Sequence, residues 1–374
     1  MARRLRYLAS DRAVAWVEDE NRVVGLSVRA VAAGSFAQGS TEAGLSQGLR
    51  EQGWLVEEVD FARHFEARTL AERVERRLRW PQNKARFNAD IVAACERTRP
   101  EVMLTVKGIG ISRKTLDRLG RLNVRTVNFF PDYYLTDVPW EALQAYSNII
   151  TTKSFQLDYL RSQLSVDRVD FVHHGYLPLL HRASPTGGGT YTADIVYIGN
   201  ASPYKARMLT PLVNAFPRAI MRIYGGGWDP YRTSPLSSAI VGHRVAPDFM
   251  ADVISHARVN VALHMGLTES SIWEDFVSTR TFEIPACGGF MLHIDNEEVR
   301  SLYQVPEEID VFANAAELIA KTRYYLEHAH EREAIAARGH ARAVPAYSYS
   351  SRAAEVAAII EPLLKSRGRA DARS

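Results

Sequence analysis

The sequence predicts an α/β protein of two domains that face each other across a cleft. Three observations carry that expectation. Short β-branched runs alternate with longer amphipathic stretches, the pattern that parallel sheets with crossover helices require. The alternation breaks at 182–192, where "RASPTGGGTYT" has no periodicity and reads as a linker. The 374 residues also exceed what one compact core usually organises.

In the first half the strand candidates are 22–28, 56–61, 101–106, 125–130, 148–152 and 168–173, with helical material over 40–52, 69–97 and 153–164. After the linker the pattern restarts, with strands at 193–200, 219–225, 238–245 and 259–264 and helices near 205–215 and 247–257. A buried-looking strand, "GGFMLHI", follows at 288–294, then helices near 313–342 and 351–365. The polar, basic tail "KSRGRADARS" is expected to fray. Two such halves bring the carboxyl ends of two sheets to one gap, where open α/β sheets bind ligands.

Composition narrows the function. Apolar residues make up 46% and charged residues 24%, as in an ordinary globular protein. The 46 basic and 43 acidic residues nearly balance, which argues against a nucleic-acid binder with its concentrated basic face. Two cysteines, Cys95 and Cys287, give neither a disulfide framework nor a metal-ligand cluster, although a single bridge stays open. A reduced, cytoplasmic setting fits. No apolar run approaches the ~20 residues of a membrane span, and the basic start lacks the apolar core of a secretory signal. Either basic end could make weak peripheral contact with an anionic membrane, but a solvated terminus is the simpler reading.

Chemistry concentrates in six places. In "RTFEIPACGG" (280–289), Thr281 is the expected N-cap, with Glu283 in the first turn and Gly288 and Gly289 ending the helix. A helix N-terminus at the cleft suits a phosphate, Arg280 adds positive charge, and a carboxylate can accept both hydrogens of a ribose diol. The alternative is that Glu283 only caps its helix while Arg280 pairs with a nearby acid. In "YIGNASPYKARM" (197–208) a strand ends at Gly199-Asn200, and Lys205 and Arg207 open a helix, a place for a diphosphate or merely a solvated basic turn. In "AVAAGSFAQGSTEAGLSQGL" (30–49) the loop carries Gly34, Ser35 and Gly39 before a helix near Ser40, but it is neither GxGxxG nor a P-loop. "NFFPDYYLTDVPW" (128–140) sets Asp132 and Asp137 just past a strand, where a general base or a turn residue would sit. "FVHHGYLP" (171–178) ends a strand with His173 and His174, whose side chains point to opposite faces and cannot ligate one metal, and "YGGGW" (224–228) ends another.

Taken together, "YIGN…K", "YGGGW", "RTFEIPACGGFML" and the terminal "YSYSSR" resemble the GT-B glycosyltransferases, in particular the spore-maturation CgeB-like proteins with their glycosyltransferase family 1-type C-terminal domain. The resemblance spans roughly 194–352 and is most specific in "RTFEIPACGG", whereas the first half matches only in organisation. It implies two Rossmann-like domains: an acceptor-side domain over 1–183, a nucleotide-sugar domain over 184–345, and over 346–374 a helix packing back on the first domain before a flexible tail. By position, Glu283 would bind the ribose and Arg280 and Lys205 the diphosphate. Gly199, Asn200, Tyr224, Gly225, Gly226 and Thr281 would complete the donor site. Asp132 would join Arg280 and Lys205 in catalysis, and Gly34, Ser35 and His174 would serve the acceptor or a phosphate.

The same resemblance implies a metal-independent transferase with no cofactor beyond a UDP-, GDP- or dTDP-sugar donor, acting on a glycan, protein or small-molecule acceptor. A sugar-nucleotide epimerase on the same scaffold and a non-catalytic sugar-nucleotide or carbohydrate-binding protein are the alternatives. Related retaining enzymes carry two glutamates eight residues apart. Here the first position holds Asp275, which leaves the stereochemistry open. Tyr349 and Arg352 match the family's ending, whereas its histidine is replaced in Tyr347-Ser348-Tyr349.

Overall fold

A computed structural model describes residues 27–65, 69–183, 191–265 and 273–371. The first domain runs β1 (Arg29–Gly34), α1 (Thr41–Glu51), β2 (Leu55–Asp60), α2 (Ala62–Phe65), α3 (Leu70–Leu78), α4 (Trp80–Thr98), β3 (Val102–Val106), α5 (Arg113–Arg121), β4 (Arg125–Phe130), α6 (Trp140–Leu143), β5 (Asn148–Thr151), α7 (Leu157–Gln163) and β6 (Val169–Phe171). The second runs β7 (Ala193–Ile198), α8 (Pro203–Ala215), β8 (Met221–Tyr224), α9 (Met250–Ser255), β9 (Ala257–Ala262), α10 (Thr279–Ala286), β10 (Met291–Ile294), α11 (Glu297–Leu302), β11 (Asp310–Phe312), α12 (Ala315–Glu327) and α13 (Ala329–Ala343). The chain then ends in α14 (Tyr349–Asp371).

Both sheets are parallel throughout, in the orders β2-β1-β3-β4-β5-β6 and β11-β10-β9-β7-β8. Successive strand residues point to opposite faces, so Val102, Leu104 and Val106 of β3 enter one core while Met103 enters the other. Leu45 and Leu49 of α1 and Val356 and Ile360 of α14 cover the first of these faces, and Phe87 and Ile91 of α4 cover the second. Helix α14 therefore belongs to the core of the first domain, although the second domain precedes it in the chain. The second sheet is likewise covered on both faces. Layered in this way, the chain adopts the α/β architecture of two Rossmann-like domains.

Several expectations change. Of the strand expected at 22–28, residues 22–26 lie outside those described and residues 27 and 28 are not in a strand; the first described strand, β1, begins at Arg29. Alanine-rich "RAVAAG" carries little β-branching, yet Ala30–Ala33 are buried in an interior strand of the sheet, between β2 and β3. The candidate at 238–245 is a loop that touches the sheet through one bridge, Ile223 to Ile240. A 3₁₀ turn at Pro235–Ser238 and Gly242 at φ +86° break it up. The three-residue β11 went unpredicted, being too short to show alternation. The helix expected over 313–342 is two, α12 and α13, divided at His328, whose φ of −110° and ψ of 68° are not helical. Instead of fraying near 365, α14 stays helical to Asp371. Cys95 and Cys287 sit buried in different cores and are unpaired, so the open possibility of a bridge closes. Among the described residues no helix is long and apolar enough to cross a membrane.

Candidate functional site

Helix α10 begins at the carboxyl edge of the second sheet. Its N-cap is Ser278, not Thr281: the Ser278 hydroxyl accepts from the Arg280 N–H at 3.3 Å, and the Ser278 N–H donates to Thr281 Oγ1 at 3.2 Å. Ser278 and Thr281 of "STRT" both fit a cap on paper, and the earlier one takes the extended φ/ψ of −135° and −176° that a cap needs. The shift moves Glu283 out of the first turn and leaves Arg280 there. The neighbouring β7–α8 turn is built in the same way, with Ser202 Oγ accepting from the Lys205 N–H at 3.3 Å. The Lys205 ammonium folds back to donate to the Asn200 carbonyl at 3.1 Å.

These two helix starts open onto one cavity of about 480 Å³, lined among others by Gly199, Asn200, Lys205, His264, Asp275 and Arg280. Gly225 also lines it, and only glycine fits there: its φ is +136°, and an added Cβ would meet the Gly199 carbonyl oxygen at 2.1 Å. The 224–228 loop is laced to the β7 loop, because the Gly226 N–H donates to Asn200 Oδ1 at 3.0 Å and Trp228 Nε1 donates to the Gly199 carbonyl at 2.9 Å. Tyr224 does not line the cavity, and its ring meets His243 edge-on at 6.3 Å.

Electrostatics favour an anion. Arg280 and Lys205 are both largely buried, and burial lowers their pKa values, to about 10 and about 8. Both remain cationic at neutral pH. Arg280 is not unpaired: its guanidinium sits on the Glu283 carboxylate and its Nε donates to the Ile198 carbonyl at 3.3 Å. Glu283 lies behind Arg280 and off the cavity wall, with His181 Nε2 3.8 Å from its other oxygen. The pairing raised as an alternative from sequence is thus present, between the two motif residues themselves.

The sequence also missed a histidine pair, His264 in this wall and His293 behind it. His264 Nε2 lies 2.7 Å from His293 Nε2, which Thr281 Oγ1 also approaches at 3.0 Å. Burial depresses the pKa of both rings, well below the ordinary value for His264 and to about 4 for His293, so both are neutral. Only the placement of His264 at a strand's carboxyl end could have flagged it.

The first-domain candidates do not line this cavity. Asp132 follows β4 and pairs with Lys107 at 2.8 Å. Gly34 ends β1 and Ser35 follows it, but the Ser35 backbone faces the Glu42 carboxylate, whose pKa burial raises. An added Cβ at Gly34 would meet Glu42 Cγ at 2.8 Å, so this glycine makes room for Glu42. His174 is buried, hydrogen-bonded through Nε2 to Thr152 Oγ1 at 2.9 Å, and its carbonyl accepts from Arg352 Nε at 2.9 Å. The Arg352 guanidinium stacks over Phe282 of α10 at 5.4 Å, which ties α14 to both domains. Among the described residues no group of three or more His, Cys, Asp or Glu is placed to hold a metal ion.

Residues 205–358 match the family described as "Glycosyl transferase-like". No curated protein matches the chain. Solved structures similar to it include HepE from Anabaena in complex with UDP, 12% identical at a TM-score of 0.58, with 90% of this chain and 100% of that chain covered. Sucrose-phosphate synthase from Thermosynechococcus elongatus is 13% identical at a TM-score of 0.61, covering 90% of this chain and 100% of its own. A glycosyltransferase from Rickettsia africae is 11% identical at a TM-score of 0.63, covering 91% and 100%. The chain therefore has the GT-B fold, and the match to the glycosyl transferase-like family lies over residues 205–358 of it.

Proposed function

We propose that the protein is a glycosyltransferase that moves a sugar from a nucleotide-sugar donor, held by the second domain, to an acceptor held by the first. One observation carries the reading: the N-terminus of α10, Arg280 and Lys205 converge on one cavity at the carboxyl edge of the second sheet. The positive end of the α10 dipole and two cations there would stabilise charge building on a leaving diphosphate, without a metal being required for it. Anabaena HepE, similar in fold, has been solved with UDP, with UDP and glucose, and with UDP-glucose, which favours a uridine nucleotide as the first donor to try.

Glu283 is assigned to the ribose, which requires its pairing with Arg280 to loosen when donor arrives. Gly199, Asn200 and Gly225 give the nucleotide close backbone approach, while Asp132 and His174 serve the acceptor side. The "RTFEIPACGG" segment supports a place in the CgeB-like group, and two unpaired thiols fit a cytoplasmic setting.

A melting screen against UDP-, GDP-, dTDP- and CMP-sugars tests the donor. A ligand bound only by the native state stabilises it by about 2.7 kcal/mol at a hundredfold excess over Kd. The identified donor is then incubated alone. Slow release of nucleoside diphosphate is expected of a transferase using water, a changed sugar still on its nucleotide would identify an epimerase, and binding without any reaction a non-catalytic protein.

A further inference from the structure

Lys153 follows β5 at the carboxyl edge of the first sheet, yet its ammonium ends in the second domain. Nζ donates to Asp275 Oδ1 at 2.8 Å and to the Val277 carbonyl at 3.0 Å. Both side chains are almost wholly buried, 5% and 8% exposed. Asp275 lines the same cavity as Lys205 and Arg280, just ahead of the Ser278 cap. Burial pushes the Asp275 carboxyl up, and the touching ammonium is the main force holding it down. An acid this buried stays ionised only beside such a cation. A simple clamp between the domains would not need its acid on the cavity wall, and other contacts already join them: Ser154 donates to Glu298, and His173 Nε2 lies 3.1 Å from the same carboxylate.

We infer that Lys153 is a positioning residue of the donor site: it holds Asp275 as a carboxylate facing the donor's sugar hydroxyls, so the site is complete only while the two domains are docked. The inference rests on the donor reading above. An ionised carboxylate accepts a sugar O–H more strongly than a protonated acid, and it fixes the sugar rather than the nucleotide.

The test uses the full chain with Lys153→Met, Lys153→Arg and Asp275→Asn. Binding is measured with UDP, GDP and dTDP, and donor hydrolysis against pH with UDP-glucose, GDP-mannose and dTDP-glucose. Lys153→Met should lower kcat at least about tenfold and move the acid limb of the pH profile up by about one unit or more, because an Asp275 without its cation ionises only at higher pH. Nucleotide Kd should change less than about twofold, since a bare nucleotide has no sugar to place. Lys153→Arg should restore the limb, and Asp275→Asn should abolish it. The last two variants decide the matter if Lys153→Met does not fold. An unmoved limb in Lys153→Met, a limb surviving in Asp275→Asn, or a nucleotide affinity that falls as far as kcat would overturn the inference while leaving the donor reading intact. A wild-type protein that binds a nucleotide but hydrolyses no donor also overturns the inference, and one that binds no nucleotide sinks the donor reading first.

Discussion

Glu283 can be tested by removing its charge while keeping its shape. If its carboxylate accepts the ribose hydroxyls, the wild-type protein should prefer UDP to 2′-deoxy-UDP. A hydrogen bond to a charged group is worth about 1.5–3 kcal/mol, which corresponds to about 10- to 150-fold in Kd. In Glu283→Gln the remaining amide oxygen makes a neutral bond of about 0.5–1.5 kcal/mol, so the preference should shrink to about 2- to 12-fold. The substitution also strips Arg280 of its carboxylate. Losing one partner of a fully buried ion pair costs about 3–5 kcal/mol. Here the cost should be lower, because the Arg280 side chain is 23% exposed and keeps the Ile198 carbonyl. Titration calorimetry with the two nucleotides on both proteins separates the effects, since lost stability lowers both affinities alike while a lost 2′-hydroxyl contact lowers that for UDP more than that for 2′-deoxy-UDP. If Glu283→Gln discriminates as strongly as the wild type, Glu283 is only a counter-ion for Arg280.

Three further outcomes follow from the geometry. The Lys205 ammonium, whose pKa burial lowers to about 8, is charged below that pH and neutral above it, so UDP affinity should fall as pH rises through about 8. Lys205→Arg should flatten that decline. Gly48→Ala should lower the melting temperature, because its Cβ would meet Ala353 Cβ at 2.6 Å and the Tyr349 carbonyl oxygen at 2.9 Å where α1 packs on α14. Overpacking of about 1–3 kcal/mol outweighs a helix-propensity gain of about 1 kcal/mol, whereas Gly120→Ala, exposed on α5 with no atom within 4 Å, should stabilise. Cys95 and Cys287, whose thiols burial pushes up to about 12, should stay silent to a thiolate-specific reagent until guanidinium unfolds the protein and releases two equivalents.

The sequence made the sheets legible wherever a strand is buried on both faces, as "VMLTV" and "VNFF" are, since a largely apolar run bounded by turn signals suits a parallel strand covered on both sides. It misled at 238–245, where equally apolar residues cover a loop, and only Pro235 and Gly242 argued otherwise. Arg280, Lys205 and the two glycine turns could be found because strand-to-helix turns are local. Whether Arg280 faces a ligand or its own neighbour was beyond local reasoning, as its i,i+3 partner Glu283 suits both roles. Lys153 stayed hidden because its partner lies 122 residues along the chain, a contact fixed only by how the two domains meet.

Because α14 finishes the hydrophobic layer over β3, β4 and β5, the first domain is interrupted in the gene. During synthesis its sheet emerges early but keeps one greasy side bare until α14, which follows the whole second domain, leaves the ribosome. A fragment cut at the linker would carry the same defect permanently and should clump or recruit chaperones rather than behave as an autonomous module. Supplying the terminal helix in trans, or grafting it onto the front of that fragment, is the natural remedy.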